Sequence, residues 1–237
     1  ALYLLQTWRA AREHGFLRAR PSRATLRNIL RISLPNGVQQ FFFATGLTVL
    51  FWIIGRVGAD EVAVAHILIT LILFLILPAI GLGLSAASLV GQALGRRDAD
   101  DAYRWGWDVT RLAVSLLFVL ALPMWLVPDL ILGLFLKQPA LVELGRAPLM
   151  ITGLAICLDG VAIIFTQALL GAGAARSVMV VTLAVQWFFF LPLAYIIGPV
   201  LGYGLLGIWL AQAFQRLITS LLLSGLWIKR GWAHIEL

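Results

Sequence analysis

Between Glu61 and Arg96 no residue carries a formal charge, and a helix over that stretch would be about 50 Å long. The hydrocarbon core of a bilayer is about 30 Å thick, so such a helix crosses it and must bend or project beyond it. Pro78, Gly81 and Gly83 are where a kink is expected. Five further apolar runs follow the same rule, which predicts spans at about 32–55, 62–90, 103–127, 146–170, 177–197 and 205–228. The last two come from one long stretch, Ser177 to Leu226, read as two helices joined by a tight turn at Gly198-Pro199 and Gly202-Tyr203-Gly204. Composition agrees. The chain is 61% hydrophobic and 12% charged, against roughly 45–50% and 25% in soluble domains. The expected fold class is an all-α integral membrane protein with six transmembrane helices.

The net charge of +7 comes mostly from arginine, placed between the apolar runs rather than in a surface stripe. That placement points to membrane topology and away from nucleic acid. With six spans both ends of the segment lie on one side, and basic residues divide fourteen to three in favour of that side. The poor side holds Arg56, Lys137 and Arg146, and Arg216 stands apart within a span. By the positive-inside rule the rich side is cytoplasmic, as for a multi-pass protein of the plasma (bacterial inner) membrane. Trp105, Trp107, Trp125, Trp227 and Trp232 fall near predicted span ends, where interfacial belts put tryptophan. The opening Ala1–Trp8 reads as the tail of a preceding span, residues 9–31 as a basic cytoplasmic linker, 32–230 as the helical lobe and 231–237 as a cytoplasmic tail.

One cysteine, Cys157, gives no disulfide framework or thiolate cluster, and His14, His66 and His234 are scattered. No cofactor or metal is expected. Paired carboxylates, a histidine cluster or an activated nucleophile would be needed for a membrane-embedded enzyme, and these residue types are too few for one.

Polar residues inside spans are costly there, so each should face a cavity or a partner. Asp159 is the one charge inside the fourth span, and Thr152 and Thr166 lie seven residues either side of it, on one helix face. In the last span Trp209, Gln212 and Arg216 share a face, and Arg216 falls at a depth comparable to Asp159. Two readings stand. Either the pair faces one cavity, which would hold Asp159 ionised, or Arg216 snorkels alone to the inner interface. Asn36 and Gln40 share a face of the first span with Gln39 beside them, His66 and Thr70 share one in the second, and Gln186 is central in the fifth. The candidate cation- or substrate-binding set is Asp159, Thr152, Thr166, Gln39, Gln40, Arg216 and Gln212. Small residues crowd the second span from Gly81 to Gly91 and recur at Gly171–Ala175, as at close helix contacts in lipid.

The order and spacing of several segments carry a resemblance. Ile32-Ser33-Leu34-Pro35 opens the first span, and Gly55-Arg56-Val57-Gly58-Ala59-Asp60 precedes Val64-Ala65-His66. The run from Gly81 to Gly95, then Leu170-Gly171-Ala172-Gly173 and Gly204-Leu205-Leu206-Gly207-Ile208-Trp209, complete it. With these the chain resembles the multidrug and toxic compound extrusion (MATE) family over essentially its whole length. The resemblance implies the C-terminal six-helix lobe of a twelve-helix transporter, with the N-terminal lobe and the lipid bilayer as partners. It implies a small-molecule substrate, often an organic cation, exported against a coupling cation, proton or sodium. Asp159 corresponds to the acid that sodium-coupled members have in the tenth helix. Phe43 stands where those members have a glutamate in the seventh, so half of that sodium site is missing. A flippase for lipid-linked glycans, from the same superfamily, is the alternative. Its cavity would need several basic residues, and only Arg216 lies deep in a span.

Overall fold

A backbone in hydrocarbon has no water to bond to, so each spanning segment must satisfy its own amides as a helix. The computed structural model describes residues 23–234, and among them there is helix and turn and no strand. The expected tail 1–8, the part of the linker before Arg23, and residues 235–237 lie outside the described residues. Eight α-helices follow in order: α1 (Arg23–Gly55), α2 (Ala59–Gly95), α3 (Ala99–Leu126), the short α4 (Pro128–Gly133), α5 (Pro139–Gly171), α6 (Ala175–Ala184), α7 (Leu191–Tyr195) and α8 (Gly204–Ile228). Six helical stretches among the described residues are long and apolar enough to cross a membrane, with α6 and α7 sharing one that runs through Ala175–Val200. The protein is therefore a multi-pass membrane protein, as its composition implied.

Several boundaries differ from the sequence expectation. α1 begins at Arg23, within the stretch read as linker. α2 runs unbroken through Pro78 for 37 residues, about 55 Å. α4 was not expected at all. It forms because Pro128 stops the α3 backbone pattern and then sits at the first turn of the next helix, where a missing N–H costs nothing. The fifth span does not break at Gly198-Pro199. It widens into π-helical turns at Val185–Phe190 and Ile196–Val200, and ends at a turn holding Gly202 and Gly204 at φ of 75° and 60°. Each π turn lies beside or around a proline, Pro192 or Pro199, whose ring and missing N–H do not fit the ordinary ladder. Leu191 N–H reaches the Gln186 carbonyl and Leu201 N–H that of Ile196.

The turn after α2 is fixed by its own polar residues. Arg97 takes φ 61°, the Asp98 carboxylate accepts the Asp101 N–H at 2.9 Å, and Asp100 and Asp101 load the positive end of α3. α5 packs against α2, α3 and α8 and is the hub of the bundle. Small residues let these helices close up. A methyl on Gly171 would run into the backbone of Ala87 on α2, and one on Gly160 would meet Leu117 of α3 at 2.8 Å. One core cluster lies toward the α1–α2 turn, including Ile53, Leu68, Leu149, Ile208 and Trp209. Another lies at the opposite end, around Val90, Phe165 and Trp227.

At that second end Trp227 stacks on Trp232 with ring centres 4.2 Å apart, and Arg230 lies over Tyr103 and pairs with Asp100 at 2.6 Å. Trp227 and Trp232 do fall at a span end, but at 0% and 3% exposure they are core residues and not part of an interfacial belt. Their apolar area is better used in closing the bundle end, against Gly106 and Phe165, than facing lipid.

Candidate functional site: an ion pair between two parallel spans

α5 and α8 run in the same direction because the intervening span returns the chain to the side where α5 began. Asp159 and Arg216 are equally far from the C-terminal ends of their helices, about 18 Å. The register brings them together: the Arg216 guanidinium donates to the Asp159 carboxylate at 2.5 Å. Arg216 is the central residue of the 25-residue α8, so the pair lies near mid-membrane. Its two side chains keep 11% and 19% exposure. Of the two readings left open by the sequence, pairing is the one observed, and Arg216 does not snorkel alone.

Pairing is what this depth demands. A lone charge near the bilayer centre costs several kcal/mol, whereas an apposed acid and base neutralise each other. Among the described residues the acid next in depth is Asp108 of α3, which pairs with Arg111 at 3.2 Å and leaves Asp159 as the acid that meets Arg216.

Two turns toward the other end, the Trp209 indole N–H donates to the Thr152 hydroxyl at 3.0 Å, and that hydroxyl donates to the Pro148 carbonyl at 2.9 Å. Both cross-helix pairs have partners 57 positions apart. Equal offsets at a seven-residue spacing mean that α5 and α8 pack as a parallel, coiled-coil-like seam. Thr152 is therefore buried at 2% and committed to Trp209 rather than open to a cavity. Thr166 and Gln212 flank the ion pair, half-buried, and neither makes a side-chain hydrogen bond among the described residues.

The α1 candidates stand apart from this seam. Gln39 donates to the Thr182 hydroxyl of α6 at 3.4 Å, while Gln40 is exposed. His66 and Thr70 are exposed, with the Thr70 hydroxyl turned back to the His66 carbonyl. Gln186, at the start of the first π turn, lies flat against α1 at Gly46, where any Cβ would overlap its amide. Sequence reasoning missed Thr182 and the Gly46 contact. The available signal was that Thr182 and Gln186 are four residues apart, one helical turn, and so share a face. Among the described residues no group of three or more His, Cys, Asp or Glu side chains is placed to hold a metal.

The comparisons with known proteins agree with the fold. A sequence model of the MatE family matches residues 35–196. The chain is 28% identical over 221 residues to a protein of Thermotoga maritima named "Probable multidrug resistance protein NorM", covering 89% of this chain and 47% of that protein. The same name is carried by a Brucella suis protein, 28% identical over 242 residues, covering 100% of this chain and 51% of the relative. Among solved structures, the outward-facing conformation of a multidrug resistance MATE family transporter superposes with a TM-score of 0.82 at 19% identity, over 89% of this chain and 48% of that one. A MATE structure in the straight conformation gives 0.82 over 89% and 47%. The chain thus spans about half the length of the curated relatives it matches, and its fold is that of one six-helix lobe of these transporters. From the family match over residues 35–196 and the six-helix architecture together, the chain belongs to the MatE family.

Proposed function

We propose that this chain is the C-terminal lobe of a secondary active antiporter that exports organic compounds in exchange for protons or sodium. Asp159 is its exchanging carboxylate. The relatives named as multidrug resistance proteins support efflux as the activity. The observation that carries the assignment to Asp159 is its pairing with Arg216 near mid-membrane. An acid at that depth is costly and so marks a candidate site for a transported group, and the guanidinium offsets the cost between loads.

The mechanism follows from one charge having several claimants. Arg216 holds Asp159 in the empty site, a positively charged group of the substrate displaces the guanidinium, and a coupling cation displaces the substrate on the other side. Exchange follows because Asp159 serves one partner at a time. Phe43, in the position where sodium-coupled members carry glutamate, removes an oxygen donor from this lobe, which favours the proton. The rich basic end, with exposed Arg97, Arg104, Arg176 and Lys229, supports a cytoplasmic placement for that face. A flippase of lipid-linked glycans would need several basic residues gathered to meet a diphosphate, and in the α5–α8 seam Arg216 stands alone beside an acid.

The test is dye efflux from proteoliposomes holding the full-length protein, with a proton and a sodium gradient imposed in turn. Efflux driven by either gradient in wild type and lost in Asp159→Asn supports the assignment. Unchanged efflux in that variant removes it.

A further inference from the structure

Four charged side chains, Asp129, Lys137, Glu143 and Arg146, line one cavity of about 640 Å³ where α4 meets the first two turns of α5. The ion pair of the α5–α8 seam sets its depth. Arg146 lies thirteen residues before Asp159 on α5, about 20 Å along the helix axis. A bilayer extends about 15 Å from its midplane to the edge of the hydrocarbon, and about 20–22 Å to the outer edge of its headgroups. With Asp159 near mid-membrane, Arg146 and the cavity are level with the lipid phosphates. Trp125 marks the same boundary. Its indole N–H donates to the Met150 carbonyl at 2.9 Å, one turn deeper than Arg146, where an interfacial tryptophan belongs.

The four charges sum to zero and are not spent on one another. Asp129 and Arg146 approach only to 3.6 Å, beyond a good hydrogen bond, and both are more than half exposed. Lys137 and Glu143 make no ion pair among the described residues. Two cations and two carboxylates thus keep donors and acceptors for a ligand that carries both signs. Toward the membrane centre the surface turns apolar. Met150 and Leu154 follow Arg146 at intervals of one turn on the same face of α5, and both are exposed. Leu130 of α4 and Leu134 just after it are exposed as well. A charged cavity at phosphate depth over an apolar wall matches a molecule with a charged head and acyl tails.

We infer that this cavity binds the headgroup of a zwitterionic aminophospholipid, of the phosphatidylethanolamine class, with its chains along α5. Lys137 and Arg146 meet the phosphate, and Asp129 and Glu143 accept hydrogen bonds from the primary ammonium. A choline head has no N–H to donate, and an anionic glycerol head leaves both carboxylates uncompensated, so each binds more weakly. The occupant is a lipid of the bilayer held about 20 Å from Asp159, and its binding does not depend on what Asp159 carries.

The experiment is native mass spectrometry of the full-length protein after incubation in detergent with three lipids in equal amounts. These are phosphatidylethanolamine, phosphatidylcholine and phosphatidylglycerol with identical acyl chains. Wild type should retain the ethanolamine lipid about fivefold over each of the others, the preference that two half-exposed charge pairs give. Asp129→Asn/Glu143→Gln should erase its advantage over the choline lipid. Lys137→Gln/Arg146→Gln should lower its retention by a similar factor. Arg104→Gln, which removes an exposed charge of α3 at the opposite end, should leave the preference unchanged. All the substituted side chains are exposed, and matching unfolding midpoints verify that each variant is folded. Equal retention of the three lipids by wild type, preference for another of them, or an ethanolamine preference that survives in Asp129→Asn/Glu143→Gln would overturn the inference. So would the same loss in Arg104→Gln. Displacement of the lipid by excess inorganic phosphate would overturn it too, by making the cavity a site for free phosphate.

Discussion

Trp209 donates its indole N–H to the Thr152 hydroxyl at 3.0 Å, two helical turns from the ion pair that Arg216 makes with Asp159 on the same two helices. The neutral bond and the charged one divide the labour of the α5–α8 seam. The first is enclosed and bridges the helices without charge, and the second keeps 11% and 19% exposure, which the proposed exchange of partners requires.

If the Thr152 bond fixes register, Thr152→Val should lower stability by about 1–2 kcal/mol, because it leaves the buried Trp209 N–H unpaired. Thr152→Ser should stay close to wild type. Thermal unfolding in detergent, followed by tryptophan fluorescence, measures both.

The ion pair predicts non-additive variants. Arg216→Gln alone should cost about 3 kcal/mol, the lower end for a buried pair since some exposure remains. Asp159→Asn/Arg216→Gln should recover most of that loss, since it leaves neither charge stranded. A double-mutant cycle on thermal stability reads the coupling, and a cycle that sums to zero would mean that the two groups do not interact in the membrane.

Close helix approach predicts a contrast between two glycines of the small-residue segments. Gly171→Ala drives a methyl into the backbone of Ala87, which cannot move aside without shifting α2, and should cost about 1–3 kcal/mol. A methyl on Gly81 would meet nothing within 4 Å, so Gly81→Ala should be neutral or slightly stabilising. Expression level and unfolding midpoint of the two variants compare them directly.

Much of the bundle was legible in the sequence because transfer into hydrocarbon is priced residue by residue, so the uncharged runs marked the spans without any packing information. Asp159 and Arg216 were matched from helix rise alone, which sets depth well. Rotation about the helix axis is another matter. Nothing in the apolar pattern told that Thr152 meets Trp209 while Gln39 meets Thr182, since lipid-facing and protein-facing positions are both apolar and the hydropathy pattern cannot separate them. The π turns around Pro192 and Pro199 escaped for a related reason. A proline at span depth is compatible with a break, a kink or a widened turn, and tertiary packing decides. Trp227 was placed at the correct end but on the wrong surface, because Gly106 opens a slot for it that only the fold reveals.

Orientation yields a separate test. With Cys157, the one cysteine of this chain, replaced by serine, Arg97→Cys should react with a membrane-impermeant maleimide only after the cytoplasmic face is opened. Lys137→Cys, at the opposite end, should react in intact cells. Labelling with the reverse pattern would invert the topology and, with it, the direction of export.

The central claim is that Asp159 is where transported charge is exchanged. Efflux of a fluorescent substrate from proteoliposomes of the full-length protein, compared between wild type, Asp159→Asn and Asp159→Glu at matched reconstitution, tests it most directly. Loss of gradient-driven efflux in Asp159→Asn, with partial activity retained in Asp159→Glu, is the predicted result. Efflux in Asp159→Asn at the wild-type rate would contradict it.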